Sequence, residues 1–322
     1  MHTHDSPEDS SDNSHLQVNE SRIDFYPTRS SAKRDHLGRM AWKERSVPTV
    51  WSDEDSRFSP PTGFDVSGHS KRGYTIQPGL LAPAEVQKYW SELNRLIARS
   101  SDTDDPRVIR EPDYGDVRSI FDVHKTSAEI AALAVDPRVL DTARFLLGSE
   151  VYLHQSRINF MPGFAGSGFY WHSDFETWHA EDGLPSPRAV SLSVALTDNY
   201  AFNGGLMVIP GSHRYFIPGQ GNTPNNNVET SLVRQEVGTP AQDDVTELTA
   251  EFGIDQFTGA AGAGLWFDSN IMHGSGNNIT PYPRSNIFLV FNSVANAPHE
   301  PFESSWRRPE HIAATAVEPL RR

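Results

Sequence analysis

The chain has 322 residues, 37% of them hydrophobic, enough for one large domain with a substantial core or for two smaller ones. Asp and Glu outnumber Lys and Arg by 42 to 28, a formal charge of −14, so nucleic acid and anionic membrane surfaces are not expected partners. With no cysteine, disulfides, thiolate catalysis, iron–sulfur clusters and cysteine-bound zinc are excluded, and any metal must sit on His, Asp, Glu and water.

Residues 1–20 read as a disordered tail, acidic and polar, in which His2, His4 and His15 are solvated. The tail has neither the basic start nor the apolar run of an export signal, so a cytoplasmic location is expected. No apolar run approaches the length of a membrane span. Residues 21–322 read as a single domain, with a helical and irregular flank over 21–150 and a β-rich core over about 151–295. Segment 21–72 mixes aromatics with charges and prolines and is expected to wrap the core. A helix is predicted over 84–97: it follows Pro83, and its apolar residues Val86, Tyr89, Leu93 and Leu96 recur at the helical period. A second helical pattern over 127–147 is split at Asp136-Pro137 and stopped by Gly148.

From residue 151 the period changes to two. Strands are predicted over 151–160, 190–197, 206–209, 264–268 and 286–292, separated by Gly, Pro and Asn, the pattern of a β-sandwich or barrel. Gln155, Arg157 and Asn159 share one strand face, as do Arg284, Asn286 and Phe288. An Arg and amides on such faces point to a polar pocket. The Gly- and Asn-rich stretch 218–227 reads as a surface loop.

The densest chemistry lies in Phe169-Tyr170-Trp171-His172-Ser173-Asp174-Phe175-Glu176-Thr177-Trp178-His179. On a strand, His172 and Asp174 would leave the same face, close enough to bind one ion. His-x-Asp alone is a common coincidence, and a buried His bonded to an acid explains it equally well. The distal half changes the balance. His273 follows the apolar run Leu265-Trp266-Phe267, and Arg284 comes eleven positions later at the start of the next strand. Two His and one carboxylate form a facial triad that leaves positions on Fe(II) for a bidentate oxoacid and dioxygen. Arg284 could pair bidentately with the far carboxylate of 2-oxoglutarate.

The run Trp171-His-Ser-Asp-Phe-Glu-Thr-Trp-His-Ala-Glu-Asp-Gly183 closely resembles the signature of the ectoine hydroxylases, within the phytanoyl-CoA dioxygenase superfamily. Asn203-Gly-Gly-Leu-Met-Val-Ile-Pro-Gly-Ser-His213 is similar to the superfamily's strand-and-turn marker. Gln155-Ser-Arg-Ile-Asn159 and Asn278-Ile-Thr-Pro-Tyr-Pro-Arg-Ser-Asn286 look like further ectoine hydroxylase segments, and the resemblance begins near Tyr26-Pro-Thr-Arg29. It implies a mainly β fold, a double-stranded β-helix (jelly roll, cupin-like) with flanking helices, and a homodimer. It also implies conversion of ectoine to 5-hydroxyectoine by Fe(II), 2-oxoglutarate and O2. Carried over by motif, Arg284, Ser275 and Asn159 hold 2-oxoglutarate with Arg157 nearby. Gln155, Trp178, Ser191, Phe267, Asn286 and Phe288 surround ectoine.

Two departures bear on substrate identity. Met161 stands where many relatives are expected to have Lys, and Phe216-Ile-Pro-Gly-Gln-Gly221 with Asn225-Asn-Asn227 replaces the expected segment after His213. Rival readings are the same chemistry on another small amino-acid-like substrate, and a non-catalytic cupin-like osmolyte-binding protein. The second has no need for Arg284. A zinc hydrolase lacks an evident general base. His179 and His213 are expected to be structural, Glu176 to orient the site, and Trp42, Trp51 and Trp90 to pack.

Overall fold

The computed structural model describes residues 23–101, 103–111, 115–225, 227–232 and 235–322. The tail expected over 1–20 lies outside them. The chain order begins β1 (Lys43–Glu44), α1 (Val66–Arg72), β2 (Tyr74–Gln77), α2 (Pro83–Ser100), β3 (Val108–Arg110) and β4 (Val117–Phe121). Helices α3 (Val123–Thr126), α4 (Ala128–Ala134) and α5 (Pro137–Leu147) lead to the long strand β5 (Val151–Met161) and to β6 (Phe169–His172). After α6 (Asp174–Thr177) and a π-helical turn, Trp178–Asp182, come β7 (Ala189–Ala195), β8 (Leu206–Val208) and β9 (Tyr215–Phe216). Helices α7 (Asn227–Ser231) and α8 (Gln242–Phe252) precede β10 (Asp255–Gln256), β11 (Gly264–Asp268), β12 (His273–Ser275) and β13 (Arg284–Ser293).

Eleven of these strands form the jelly roll, while β1 and β9 pair with each other. A seven-stranded sheet runs β2-β11-β7-β13-β5-β4-β3, and a four-stranded sheet runs β10-β8-β12-β6. All their pairings are antiparallel. The larger sheet is covered on its outer face by helices. Ile158, Leu192, Ile287 and Leu289 share one apolar cluster with Leu93 and Leu96 of α2, Ile130 and Leu133 of α4, and Leu140 and Leu146 of α5. Leu140 is fully buried there, and truncating it to Ala costs about 2–5 kcal/mol.

The helices predicted over 84–97 and 127–147 form as α2, α4 and α5, for visible reasons, while α1, α3, α6, α7 and α8 lie where none was predicted. Pro83 opens α2, and the Glu85 carboxylate accepts the Ala82 N–H at 2.8 Å. Asp136 caps α5 by accepting the Arg138 N–H, Pro137 takes the first turn, and Gly148 ends the helix at φ 54°. The surface loop expected over 218–227 is only partly one. Pro218, Gly219 and Asn227 are buried; Gly219 bonds Thr28 of the N-terminal arm, and Asn227 bonds Glu181 of the π-helical turn.

Register positions the site. Opposite β13 the pairing of β5 shifts between Gln155 and Leu153, a bulge that leaves His154 unpaired. His154 then turns to Asp182 at 3.1 Å while its neighbour Gln155 lines the central cavity. Without the bulge the two side chains would leave opposite faces.

Candidate active site

The two histidines come from neighbouring strands of the smaller sheet. His172 ends β6, His273 begins β12, and the two are direct partners in the ladder, with ring centroids 4.2 Å apart. Asp174 is not on the strand, contrary to the two-residue strand spacing expected for it. Ser173 breaks the extended run by accepting the Glu176 N–H, so Asp174 becomes the first residue of α6. Its Oδ1 still lies 3.7 Å from His172 Nε2 and 3.9 Å from His273 Nε2.

These three residues fit a divalent metal, since one donor atom from each lies within 4.8 Å of the others. His172 Nδ1 donates to the Tyr170 carbonyl at 2.8 Å and His273 Nδ1 to that of Ile271 at 3.1 Å, which leaves both Nε2 lone pairs for an ion. Burial, and then the facing His273, push His172 down to about 3, so its imidazole is neutral. Ser191 Oγ donates to Asp174 Oδ2 at 3.5 Å and steadies the carboxylate.

The cavity beside this cluster is lined by Gln155, Arg157, Asn159, Trp178, Ser275, Arg284 and Phe288, all singled out in the sequence. Three other expected residues stand behind its wall. Ser191 reaches Asp174 instead; Phe267 packs its ring 5.2 Å from that of His273; Asn286 donates to Ser193 Oγ at 3.0 Å.

Two of the cavity's arginines, Arg157 and Arg284, keep a buried Nε with no hydrogen-bond partner among the described residues. Arg284 is buried, its Nη2 rests 3.8 Å from the Met161 sulfur, and its Nε has no partner among the described residues. Burial, and then the nearby Arg118 guanidinium, pull Arg284 down to about 10. A buried guanidinium without a carboxylate fits a site that receives one with its ligand. Asn159 accepts from Ser119 Oγ at 2.9 Å, and Ser275 Oγ accepts the Phe169 N–H at 3.2 Å, so both side chains are fixed in place. Arg157 lies over the Phe288 ring at 4.8 Å and donates to Gln155.

Arg308 also lines the cavity, and sequence reasoning missed it. It pairs with the fully buried Asp182, whose carboxylate raises Arg308 against the opposing effect of burial. Nothing in Trp306-Arg307-Arg308-Pro309 separates this arginine from its half-buried neighbour Arg307. Other singled-out residues are structural. His179 bonds Leu184 O and Asp24, His213 bonds Ser70 O, and Trp42 donates to Asp244. Glu176 turns to Arg29 and Thr28.

A family model described as phytanoyl-CoA dioxygenase matches residues 70–286. The chain belongs to this family, among its ectoine dioxygenases. It is 54% identical to the ectoine dioxygenase of Nocardia farcinica over 93% of this chain and 96% of that one. With the ectoine dioxygenase of Halomonas elongata it shares 45% identity over 90% of this chain and 86% of that one. The crystal structure of EctD from S. alaskensis with 2-oxoglutarate and 5-hydroxyectoine superimposes with a TM-score of 0.80 at 40% identity, covering 92% of this chain and 96% of that chain. The iron-bound form of the same protein gives a TM-score of 0.80, covering 93% of this chain and 98% of that one. The epimerase SnoN, at 20% identity and a TM-score of 0.57, shares the fold.

Proposed function

We propose that this protein hydroxylates ectoine to 5-hydroxyectoine, using Fe(II), 2-oxoglutarate and O2 and releasing succinate and CO2. One observation carries the reading: the His172–Asp174–His273 cluster and the unpaired Arg284 open onto the same cavity. Two His and one carboxylate are the donor set of non-haem Fe(II) dioxygenases. Bound iron supplies the chemistry that couples oxidative decarboxylation of the oxoacid to hydroxylation of a substrate C–H bond.

The chain's own residues bind and orient. Arg284 receives the distal carboxylate of 2-oxoglutarate through two parallel hydrogen bonds, helped by Ser275 and Asn159. Ectoine is a compact zwitterion, an amidinium ring bearing a carboxylate. The faces of Trp178 and Phe288 attract the amidinium, and Gln155 and Arg308 meet the carboxylate. Ser191, Phe267 and Asn286 support the cavity from behind. Burial of these groups keeps water from the reacting carbon.

The same reading takes residues 21–322 as one dioxygenase domain, supported by the apolar cluster that joins α2, α4 and α5 to the larger sheet. A homodimer and a cytoplasmic location complete it, to be checked by light scattering and cell fractionation. Among the described residues no helix is long and apolar enough to cross a membrane.

The deciding assay incubates purified protein with Fe(II), ascorbate and 2-oxoglutarate, and scores succinate and hydroxylated product with ectoine against other cyclic and linear amino acids. Ectoine should give the strongest stimulation. If a different amino acid alone stimulates turnover, the substrate assignment fails and the dioxygenase chemistry stands.

A further inference from the structure

A buried ion cluster outside the cavity joins three separate parts of the chain. Arg29, on the N-terminal arm, is 2% exposed, and its Nε lies 2.9 Å from Glu176 Oε1 and its Nη1 2.6 Å from Glu181 Oε1. Both carboxylates are buried, and they stand on the turn that begins with Asp174. The third part is the segment between residues 219 and 238. Gly219 donates its N–H to Thr28 Oγ1 at 2.9 Å and accepts the Arg29 N–H at 3.0 Å. Gln220 N donates to Thr239 O and Gly238 N to Gln220 O, so the two ends of the segment meet in a neck. Between them, Ser231, Leu232 and Gln235 line the active cavity. Arg29 Nη1 also donates to Thr223 Oγ1 at 2.6 Å, and Asn227 donates to Glu181 Oε1 at 2.6 Å.

Two details show how closely this arrangement is specified. A Cβ on Gly238 would lie 2.4 Å from Glu176 Oε2 and 2.7 Å from Arg29 Nη2, so the neck packs its bare backbone on the ion cluster. Arg29 itself sits at φ 52°, a left-handed conformation that costs a non-glycine residue energy and persists where its surroundings impose it.

We propose that Arg29 is a positioning residue: a latch that holds the segment between residues 219 and 238 over the cavity by tying its neck, through Glu176 and Glu181, to the turn bearing Asp174. It rests on the dioxygenase reading for its effect on turnover, though not for its effect on the segment itself. The Arg29 side chain bonds Glu176, Glu181 and Thr223 and is not among the residues that line the cavity. With the latch released, the cavity wall made by Ser231, Leu232 and Gln235 would open. Substrate would be held less well, and oxoacid turnover would proceed without hydroxylation more often.

Two variants of the full chain test this. Arg29→Lys keeps the charge but loses the fork that spans both carboxylates, and Thr223→Val removes only the bond from the Arg29 guanidinium to the segment. The first readout is limited proteolysis of metal-free protein with trypsin or Glu-C, mapped by mass spectrometry. Losing one hydrogen bond to a charged group should speed cleavage between residues 220 and 238 by about tenfold, while sites elsewhere keep their rates. The second readout is turnover with ectoine, where KM should rise by about the same factor and product formed per succinate should fall, with kcat much less affected. Unchanged cleavage between 220 and 238 in Thr223→Val overturns the latch, as does an equal rise at all sites. If Arg29→Lys fails to fold, Thr223→Val decides alone. If wild-type protein ignores ectoine, the substrate reading fails and the cleavage pattern still judges the latch.

Discussion

The seven-stranded and four-stranded sheets face one cavity but are built differently. In the larger sheet, β5 and β13 pair over Val151–Met161 and Arg284–Ser293, and helices bury their outer face. Their inner face presents Gln155, Arg157, Asn159, Arg284 and Phe288 as a preformed wall. The smaller sheet has strands of two to four residues, and it places the histidines at strand ends, with Asp174 past the end of β6. Long paired strands therefore hold the groups that need a shaped surface. Short strand ends, free to turn, bring three donors from different directions onto one point. The comparison makes the two sheets separable by mutation: damage to the smaller should release metal, and damage to the larger should weaken ligand binding with metal retained.

The largest effect belongs to the smaller sheet. Replacing His172, Asp174 or His273 by Ala should abolish turnover and sharply lower bound iron, while circular dichroism stays native, because two ligands cannot fix the facial geometry. Near-normal turnover by any one variant removes that residue from the metal site. Arg284→Lys, on the larger sheet, should leave iron content unchanged and raise the KM for 2-oxoglutarate by roughly ten- to a hundredfold, the worth of a lost charge-assisted hydrogen bond. A change confined to the KM for ectoine would move Arg284 to the other end of the cavity.

Trp178→Ala and Gln155→Ala should impair hydroxylation more than uncoupled oxoacid turnover. Loss of the indole face forfeits a cation–π contact of about 0.5–2 kcal/mol, roughly two- to thirtyfold in ectoine binding. Equal loss of both activities would mean that Trp178 supports the metal turn rather than the substrate.

The smallest effect lies at the edge of the larger sheet. His69 packs under β2, 3.2 Å from Thr75 Oγ1, and burial, with help from His213, lowers it to about 3. Between that value and its ordinary 6.5 the unfolded chain binds the proton and the folded chain does not. Stability is thus full above pH 6.5 and falls on acidification, by at most about 1.4 kcal/mol per pH unit from this group. His69→Gln should flatten that acid limb in urea unfolding measured from pH 7 to 5, and superimposable profiles would exclude His69 as its source.

The same contrast explains what could be read beforehand. The central strands β5, β7, β11 and β13 of the larger sheet announce themselves by period-two alternation, whereas its outer strands β2, β3 and β4 lie in the 21–150 flank that read as helical and irregular; the α2 and α5 boundaries show in Pro83, Asp136-Pro137 and Gly148. Strands as short as β10 and β12 are below the length at which alternation carries a signal, so the metal ligands were legible as a motif and not as elements. The spacing of His172 and Asp174 suggested one strand because a Ser N-cap inside a strand-like run leaves no mark on the periodicity. Arg308 and Arg29 were invisible for another reason. Each becomes special only through a partner far away in sequence, Asp182 in one case and Glu176 with Glu181 in the other.

The pairing of His172 with His273 as direct neighbours across β6 and β12 makes an ion at their Nε2 atoms a rung in the ladder. It would join two strands of four and three residues, whose own backbone bonds are few. Metal binding is then also a term in local folding, stabilising by an amount that grows with the logarithm of free metal over its dissociation constant. Backbone amides of β6 and β12 should accordingly exchange hydrogen faster in metal-free protein, while those at the centre of β5 and β13 keep their protection.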